Sequence, residues 1–484
     1  MSSSPGGATA IQRLGDRVAE WANRWIPSPF IFALLLTALA YVAANVFTPD
    51  GPVQNVVNWY SGFWALLAFG MQMVLILVTG YAIAVSDAVS SWLERVASIP
   101  KDGKQAAVFV AAIAMIAGYI HWGIGLIVGA IIAIFVARAG HARDRTFHYP
   151  LLCAAGYTSL LIFNVGLSSS ASLLSATEGH VFEDVIGVVP LSESVFTVYA
   201  AGLAVLTFVF ILATVYLLAP EEHHATGIEE YAPGLLDEGE FEADGDEGDA
   251  PGDGSEDADG SEDVTESAVG GETRTPADAL NRSRILAYGV AAGMFVYVVR
   301  HFATSGIGDA LDLNVFNFLF IAVGLLLHGT PADYMDAIRE GTEGAAGIIL
   351  QFPFYAGILG IIANSGLGDM IATLLVGVST PETFPVIAWL LAGFMNLFVP
   401  SAGGEWGVIG GIVGGAAVEQ GVPAGQAVIA YSTGDMWTNM FQPFWALPLL
   451  GLTRMRARDI LGYTLIFLVV MTPVYALGLY FLPY

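Results

Sequence analysis

Residues 396–416 read NLFVPSAGGEWGVIGGIVGGA. Inside a long apolar region they hold a proline, seven glycines, a serine, an asparagine and one acid, Glu405. A lipid-facing helix cannot carry that mixture, because backbone opened at membrane depth finds no water to bond. It is tolerated only where protein buries it or where it lines a cavity. A shorter echo, HWGIGLIVGA, runs over 121–130. With one residue inserted it overlays EWGVIGGIVGGA, setting Trp122-Gly123 over Trp406-Gly407 and Val128-Gly129 over Val413-Gly414. Two copies of a broken, glycine-rich intramembrane segment, one per half, are the sequence mark of a secondary transporter's binding site.

Composition sets the environment. Of 484 residues 55% are apolar and 13% charged, with mean hydropathy +0.65. Soluble domains are about 25% charged, and several apolar runs here reach the roughly 20 residues of a spanning helix. The expected fold is an all-α polytopic protein of the cell membrane. The polar, amphipathic start leads into the first apolar run (31–48) without a small-residue cleavage site, so no removable signal peptide is expected. The single cysteine, Cys153, leaves no intramolecular disulfide. The net charge of −27 is concentrated: residues 221–281 hold 21 acids and one base, Arg274. That low-complexity stretch is expected to be disordered. It reads as the solvated acidic tether of a halophilic protein and not as a calcium site, since no EF-hand spacing with its terminal glutamate occurs.

Charge also orders the topology. Arg13, Arg17 and Arg24 precede the first span and put the N-terminus in the cytoplasm. Residues 105–138 are too long for one straight helix and break at Gly118, His121, Gly123 and Gly125. As a re-entrant hairpin they keep Arg138, Arg143 and Arg145 inside. The chain then divides into an N-terminal segment with the first span (1–60), a repeat (61–219), an acidic cytoplasmic linker (220–282), connecting spans with a surface helix (283–342), and a second repeat (343–484). Each repeat runs span, hairpin (105–138; 384–418), broken span (149–176; 424–450), span. The first begins outside and the second inside, so they are inverted copies, and the C-terminus ends outside. Of the 17 Lys and Arg residues only Arg300 then lies outside.

PSPFIFALLLT, GFWALLAFGMQM, HWGIGLIVGA, QFPFYAGI with NSGLG, VPSAGGEWG and above all GDMWTNMFQPFWALP make the chain resemble the short-chain fatty acid transporters of the bacterial acetoacetate and butyrate uptake type. The likeness covers nearly everything but the linker. That family resembles a wider ion-transporter superfamily, which implies substrate held between two hairpin tips in a mobile domain, carried on a scaffold that is often a homodimer. The resemblance implies symport of a short-chain monocarboxylate by alternating access, with Na⁺ or H⁺ as coupling ion and no other cofactor. Two places depart from the family pattern: Glu405, where histidine is common, and NVGLSSS (164–170), where a more glycine-rich run is expected. Both bear on ion coupling and substrate range.

The residues are compatible with that implication. No Lys or Arg lies deep in either repeat, so a carboxylate must be held by backbone N–H groups at opened helix ends, Gly403 and Gly404 among them. Asn164, Ser168, Ser169, Ser170, Ser401, Asn439 and Gln442 stand beside them; the plainer reading is that such side chains satisfy freed backbone. Trp406, with Phe352, Phe354, Trp437, Phe441 and Phe444, could wall in a short apolar tail, although packing against the hairpin is the plainer reading of Trp406. Intramembrane ionisable residues mark ion paths, and three fall in the broken segments. Asp435 suits a cation. Glu405 suits Na⁺, a proton or an aqueous cavity. His121 suits a proton or a structural hydrogen bond. HExxH, Walker A and Gly-x-Ser-x-Gly are missing, and no nucleic-acid partner is indicated. An ion antiporter without organic substrate, or a membrane hydrolase using His121, Glu405 and a metal, are the rival readings.

Overall fold

The computed structural model describes Arg24, residues 29–237 and residues 275–484 apart from Pro443. Among them every regular element is a helix. Among the described residues nine helices are long and apolar enough to cross a membrane.

Helix α1 (Pro29–Phe47) is followed by a short helix α2 (Pro52–Gly62), then α3 (Leu67–Ala84) and α4 (Asp87–Ala97). Helices α5 (Gly103–Ile120) and α6 (Trp122–His141) pack on one another, with the single residue His121 as their turn. Asp102 starts the pair by accepting the Gln105 N–H at 2.9 Å. The arms are 18 and 20 residues long, each enough to cross a bilayer by itself. Helix α7 (Tyr149–Tyr157) dissolves into two 3₁₀ turns (Thr158–Leu161, Phe163–Val165) before α8 (Ser170–Ala176), and α9 (Val198–Leu218) closes the half. The second half opens with α10 (Arg284–Ser305), α11 (Leu313–His328) and α12 (Pro331–Glu343). It continues with α13 (Ala346–Ser365), α14 (Leu367–Val378), α15 (Phe384–Met395), α16 (Ala402–Glu419) and α17 (Ala424–Thr438). A 3₁₀ turn at Phe444–Ala446 breaks the run before α18 (Leu447–Thr453) and α19 (Ala457–Phe481).

Both halves thus present a continuous helix, two helices meeting at a tip, a broken helix and a long helix. Glycine lets the broken helices sink against the tips. A Cβ on Gly129 of α6 would lie 2.3 Å from the Gly156 carbonyl oxygen of α7, and one on Gly434 of α17 would lie 2.1 Å from that of Trp389 in α15. The two pairs differ in packing: α5 lies on α6, whereas α15 packs mainly on α17 and less on α16.

Two further differences are physical. Helix α14 occupies 367–378, where no element was expected; it starts at Gly366, whose φ of +84° ends α13 in the left-handed manner glycine permits. The linker, expected to be disordered from 220, remains folded through Asp237 as short turns and helices, and its far end is helical over Pro276–Asn281. Ile228, Ala232 and Leu235 are buried, apolar anchors that the low-complexity core lacks. The Tyr149 N–H donates to the Thr226 carbonyl at 2.9 Å and the Thr226 N–H to His148 Nδ1 at 3.1 Å. Arg138 Nε donates to the Leu235 carbonyl. This strap ties the start of the linker to α6 and α7; the acidic core itself (238–274) and the N-terminal residues 1–23 and 25–28 lie outside the described residues.

Candidate functional site

Each tip is stitched to the break that follows it. In the first half the Leu167 N–H donates to the Tyr119 carbonyl at 2.8 Å, and the Trp122 N–H donates to Ser168 Oγ at 2.8 Å. In the second, Gln442 Nε2 donates to the carbonyls of Asn396 (2.9 Å) and Leu397 (3.2 Å), and Trp445 Nε1 to that of Pro400 (2.8 Å). The breaks are then joined across the halves. Asn164 Nδ2 donates to Asp435 Oδ2 at 2.8 Å and to the Ser432 carbonyl at 3.0 Å. The Tyr157 hydroxyl reaches the carbonyls of Asn439 and Gln442 at 3.0 Å each. Trp122 and Trp445 meet edge to face, 5.5 Å apart.

These four pieces surround a narrow cavity of about 30 Å³, room for a water or two. Trp122 comes from the first tip, and Leu160, Phe163 and Ser170 from the first break. Ser401, Ala402 and Gly403 come from the second tip, and Asp435, Asn439 and Trp445 from the second break; Met73 of α3 and Ile348 of α13 complete the wall. Helix α16 begins here, with Ser401 Oγ accepting the Gly404 N–H at 3.2 Å. The site therefore combines a helix N-terminus and hydroxyls with a carboxylate.

Several oxygens in the bonded network around Asp435 have no hydrogen-bond partner. Asp435 Oδ1, Asn164 Oδ1, Asn396 Oδ1 and Ser432 Oγ are buried without a hydrogen-bond partner. Asn396 is fixed by donating to the Asp435 carbonyl (2.9 Å) and Asn439 Oδ1 (2.9 Å). Buried oxygens left unpaired are costly, and a set made only of oxygen suits a hard cation. Among the described residues no three His, Cys, Asp or Glu side chains converge on a metal position.

The structure brings together Ser170, Ser401, Gly403, Asp435 and Asn439 of the residues singled out by sequence. Asn164 and Gln442 stand one bond behind, holding Asp435 and the second tip. Ser168 serves the Trp122 backbone, and Ser169 caps α8. Gly404 lies against the Tyr355 ring. Trp406 is a correction: its indole N–H donates to Ser175 Oγ at 3.0 Å, its ring packs on Tyr431 and Phe182, and it does not line the cavity. The other expected walls also fall elsewhere, with Phe352 on Phe69 and Tyr355, Phe354 on Phe30 and Trp59, and Trp437 on Trp389. Phe441 is not among the lining residues either, and the Phe444 side chain lies outside the described ones. His121 caps α6 through Nδ1, which accepts the Ile124 N–H at 3.3 Å, while its ring sits against Phe316 and Phe320 of α11. Glu405 is wholly buried one turn behind the tip, accepting the Tyr431 hydroxyl at 2.6 Å. Asn396, Ser432, Met73, Ile348 and Trp445 were not singled out; only Asn396, a polar residue in an apolar run beside a break, gave a sequence signal.

A family model described as short chain fatty acid transporter matches residues 10–482. A protein of Escherichia coli strain K12, provisionally named a short-chain fatty acid transporter, is 36% identical over 469 residues, covering 97% of this chain and 99% of that protein. A Haemophilus influenzae protein with the same provisional name is 34% identical over 479 residues, covering 98% and 100%. The crystal structure of the Alcanivorax borkumensis YdaH transporter, reported to have an unusual topology, shares the fold. Its TM-score is 0.56 at 14% identity, over 94% of this chain and 98% of that one.

Proposed function

The chain belongs to the short-chain fatty acid transporter family, and from that premise we propose that it takes up a short-chain monocarboxylate, butyrate or acetoacetate, together with a cation by alternating access. The observation that carries this reading is the junction of the two breaks, where Ser170, Ser401 and Asn439 share one cavity with Asp435. Hydroxyl, amide and the α16 N-terminus can hold a single carboxylate. Asp435 would repel that anion unless its charge were first neutralised. Na⁺ among the unpaired oxygens of Asp435, Asn164, Asn396 and Ser432, or a proton on a buried carboxyl, does so, and the coupling follows from that order of binding. A cation also offsets the potential, about 2.3 kcal/mol per charge per 100 mV. A dicarboxylate would bring a second charge with no Arg or Lys to meet it, a heavy penalty when buried. A benzene-sized ligand takes roughly 150 Å³, so the tips must part to admit substrate.

We place the two halves as inverted repeats, with tips that re-enter the bilayer, N-terminus and linker inside and C-terminus outside; a homodimer belongs to the same reading. The test is uptake of labelled butyrate into proteoliposomes under imposed Na⁺ or pH gradients. Gradient-driven uptake, with competition by acetoacetate but not by succinate or citrate, is expected. Better competition by citrate or succinate would overturn the monocarboxylate reading. Na⁺/H⁺ exchange without butyrate uptake would favour the antiporter.

A further inference from the structure

Ten of the twelve residues around the cavity come from tips and breaks; Met73 and Ile348 alone come from the continuous helices α3 and α13. Both are buried, at 4% and 9% exposure. Met73 is also wedged against the second tip, since a Cβ on Gly403 would come 3.0 Å from its Sδ and 2.7 Å from Phe69 Cζ. Phe69 is backed by Phe352, ring centroids 5.6 Å apart. The thioether thus lies against the glycine two residues beyond Ser401, which the Phe69 ring also approaches. The polar lining, Ser170, Ser401, Asp435 and Asn439, dictates where a carboxylate goes, and its alkyl tail is left with the apolar wall. Leu160 and Phe163 of that wall lie in the 3₁₀ turns that form the first break, so a substitution there would test the break as well as the wall. Met73 and Ile348 sit on the continuous helices α3 and α13, outside both tips and both breaks, so changing their volume does not redraw either break.

We propose that Met73 and Ile348 are the end stop for the acid's alkyl tail and set the longest chain that the transporter accepts. The inference rests on the monocarboxylate reading above. An unbranched thioether adapts to tails of differing length, while the β-branched Ile348 is stiff and gives a firm limit. Each methylene that finds room should improve binding about fourfold, and each that does not should be excluded by overpacking. Shortening Met73 to alanine removes three heavy atoms, space for about two methylenes.

The experiment is competition by straight-chain acids from acetate to octanoate against labelled butyrate in proteoliposomes, for wild type, Met73→Ala, Ile348→Ala and Met73→Phe. In the alanine variants the hexanoate-to-acetate ratio of inhibition constants should shift about tenfold or more toward hexanoate. In Met73→Phe the butyrate-to-acetate ratio should move the opposite way. The ratio is independent of how much protein inserts; should Met73→Ala fail to insert, Met73→Val and Ile348→Ala carry the same comparison. A ratio within about twofold of wild type in both truncations overturns the end stop. A wild type that takes up no monocarboxylate overturns the underlying reading, and the end stop with it.

Discussion

Two buried acids, one on the second tip and one on the second break, sit differently toward the cavity. Asp435 lines the cavity, and its Oδ1 has no hydrogen-bond partner. Glu405 does not line it; Oε1 accepts the Tyr431 hydroxyl and Oε2 has no hydrogen-bond partner. An intramembrane carboxyl without a cationic partner is costly and marks function, but of the two only Asp435 lines the cavity. Asp435→Asn should therefore cut the stimulation of uptake by a cation gradient about tenfold or more, while changing butyrate competition less. Glu405→Gln keeps an oxygen for Tyr431 and should have the smaller effect. Initial rates measured across a series of Na⁺ and pH gradients decide this. Unchanged ion dependence in both variants would remove these acids from the coupling path.

At the scale of elements, the site depends on helices that approach closer than side chains allow. A Cβ on either Gly129 or Gly156 would lie 2.3 Å from the other's carbonyl oxygen, so Gly156→Ala must push α7 off α6. A loss of about 1–3 kcal/mol is expected, seen as a lower Tm in detergent, whereas Gly289→Ala, with open space around it, should be silent. The strap gives a pH effect. Burial holds the His148 imidazole down at about 4 from the ordinary 6.5, with Nε2 on the Tyr463 hydroxyl at 2.8 Å. Between those values the unfolded chain takes a proton that the folded chain refuses. The contribution of His148 is thus complete above about pH 6.5 and lost as pH falls toward 4, about 3 kcal/mol in all. Thermal melts should show wild type losing more than His148→Gln over that window; equal losses would contradict it. These elements also mark what was legible in the sequence. The tips at His121 and Ser401 were visible because glycine, serine and ionisable residues interrupt apolar runs. The strap at 220–237 was hidden by its acidic surroundings, although Ile228 and Leu235 anchor it. Asn396 and Ser432 were overlooked because single polar residues in apolar helices have many structural uses. The direction of Trp406, toward Ser175 and away from the cavity, depends on how α16 is rotated against α8 and α17, which no local pattern encodes. For the same reason Met73 and Ile348 looked like ordinary apolar residues of ordinary spans.

For the whole molecule, the question is which face of the membrane each tip opens from. The acidic core of the linker has almost nothing to bury, so deleting 238–268 should leave butyrate uptake near wild type in high salt. Loss of transport in a variant that still inserts would make the core a regulatory part. The inverted arrangement makes a stronger commitment. Arg95, Lys101, Lys104, Arg138, Arg143 and Arg145 cluster around the open end of the first helix pair, and the proposed topology puts that end on the cytoplasmic face by the positive-inside rule. The open end of the second pair, where α16 runs out at Glu419, has no Lys or Arg between Arg339 and Arg454; inversion puts it outside. Cys153 is buried and is replaced by serine to give a silent background. A cysteine at Ala142, which closes α6, should then react with an impermeant maleimide only in inside-out vesicles. One at Glu419, exposed at the end of α16, should react only in right-side-out ones; Gly421 is avoided because its φ of +75° would strain any other residue. Labelling of both from one face would mean that the two pairs enter the bilayer from the same side. The halves would then be parallel copies, and the two tips could not meet head-on around one substrate as the proposed mechanism requires.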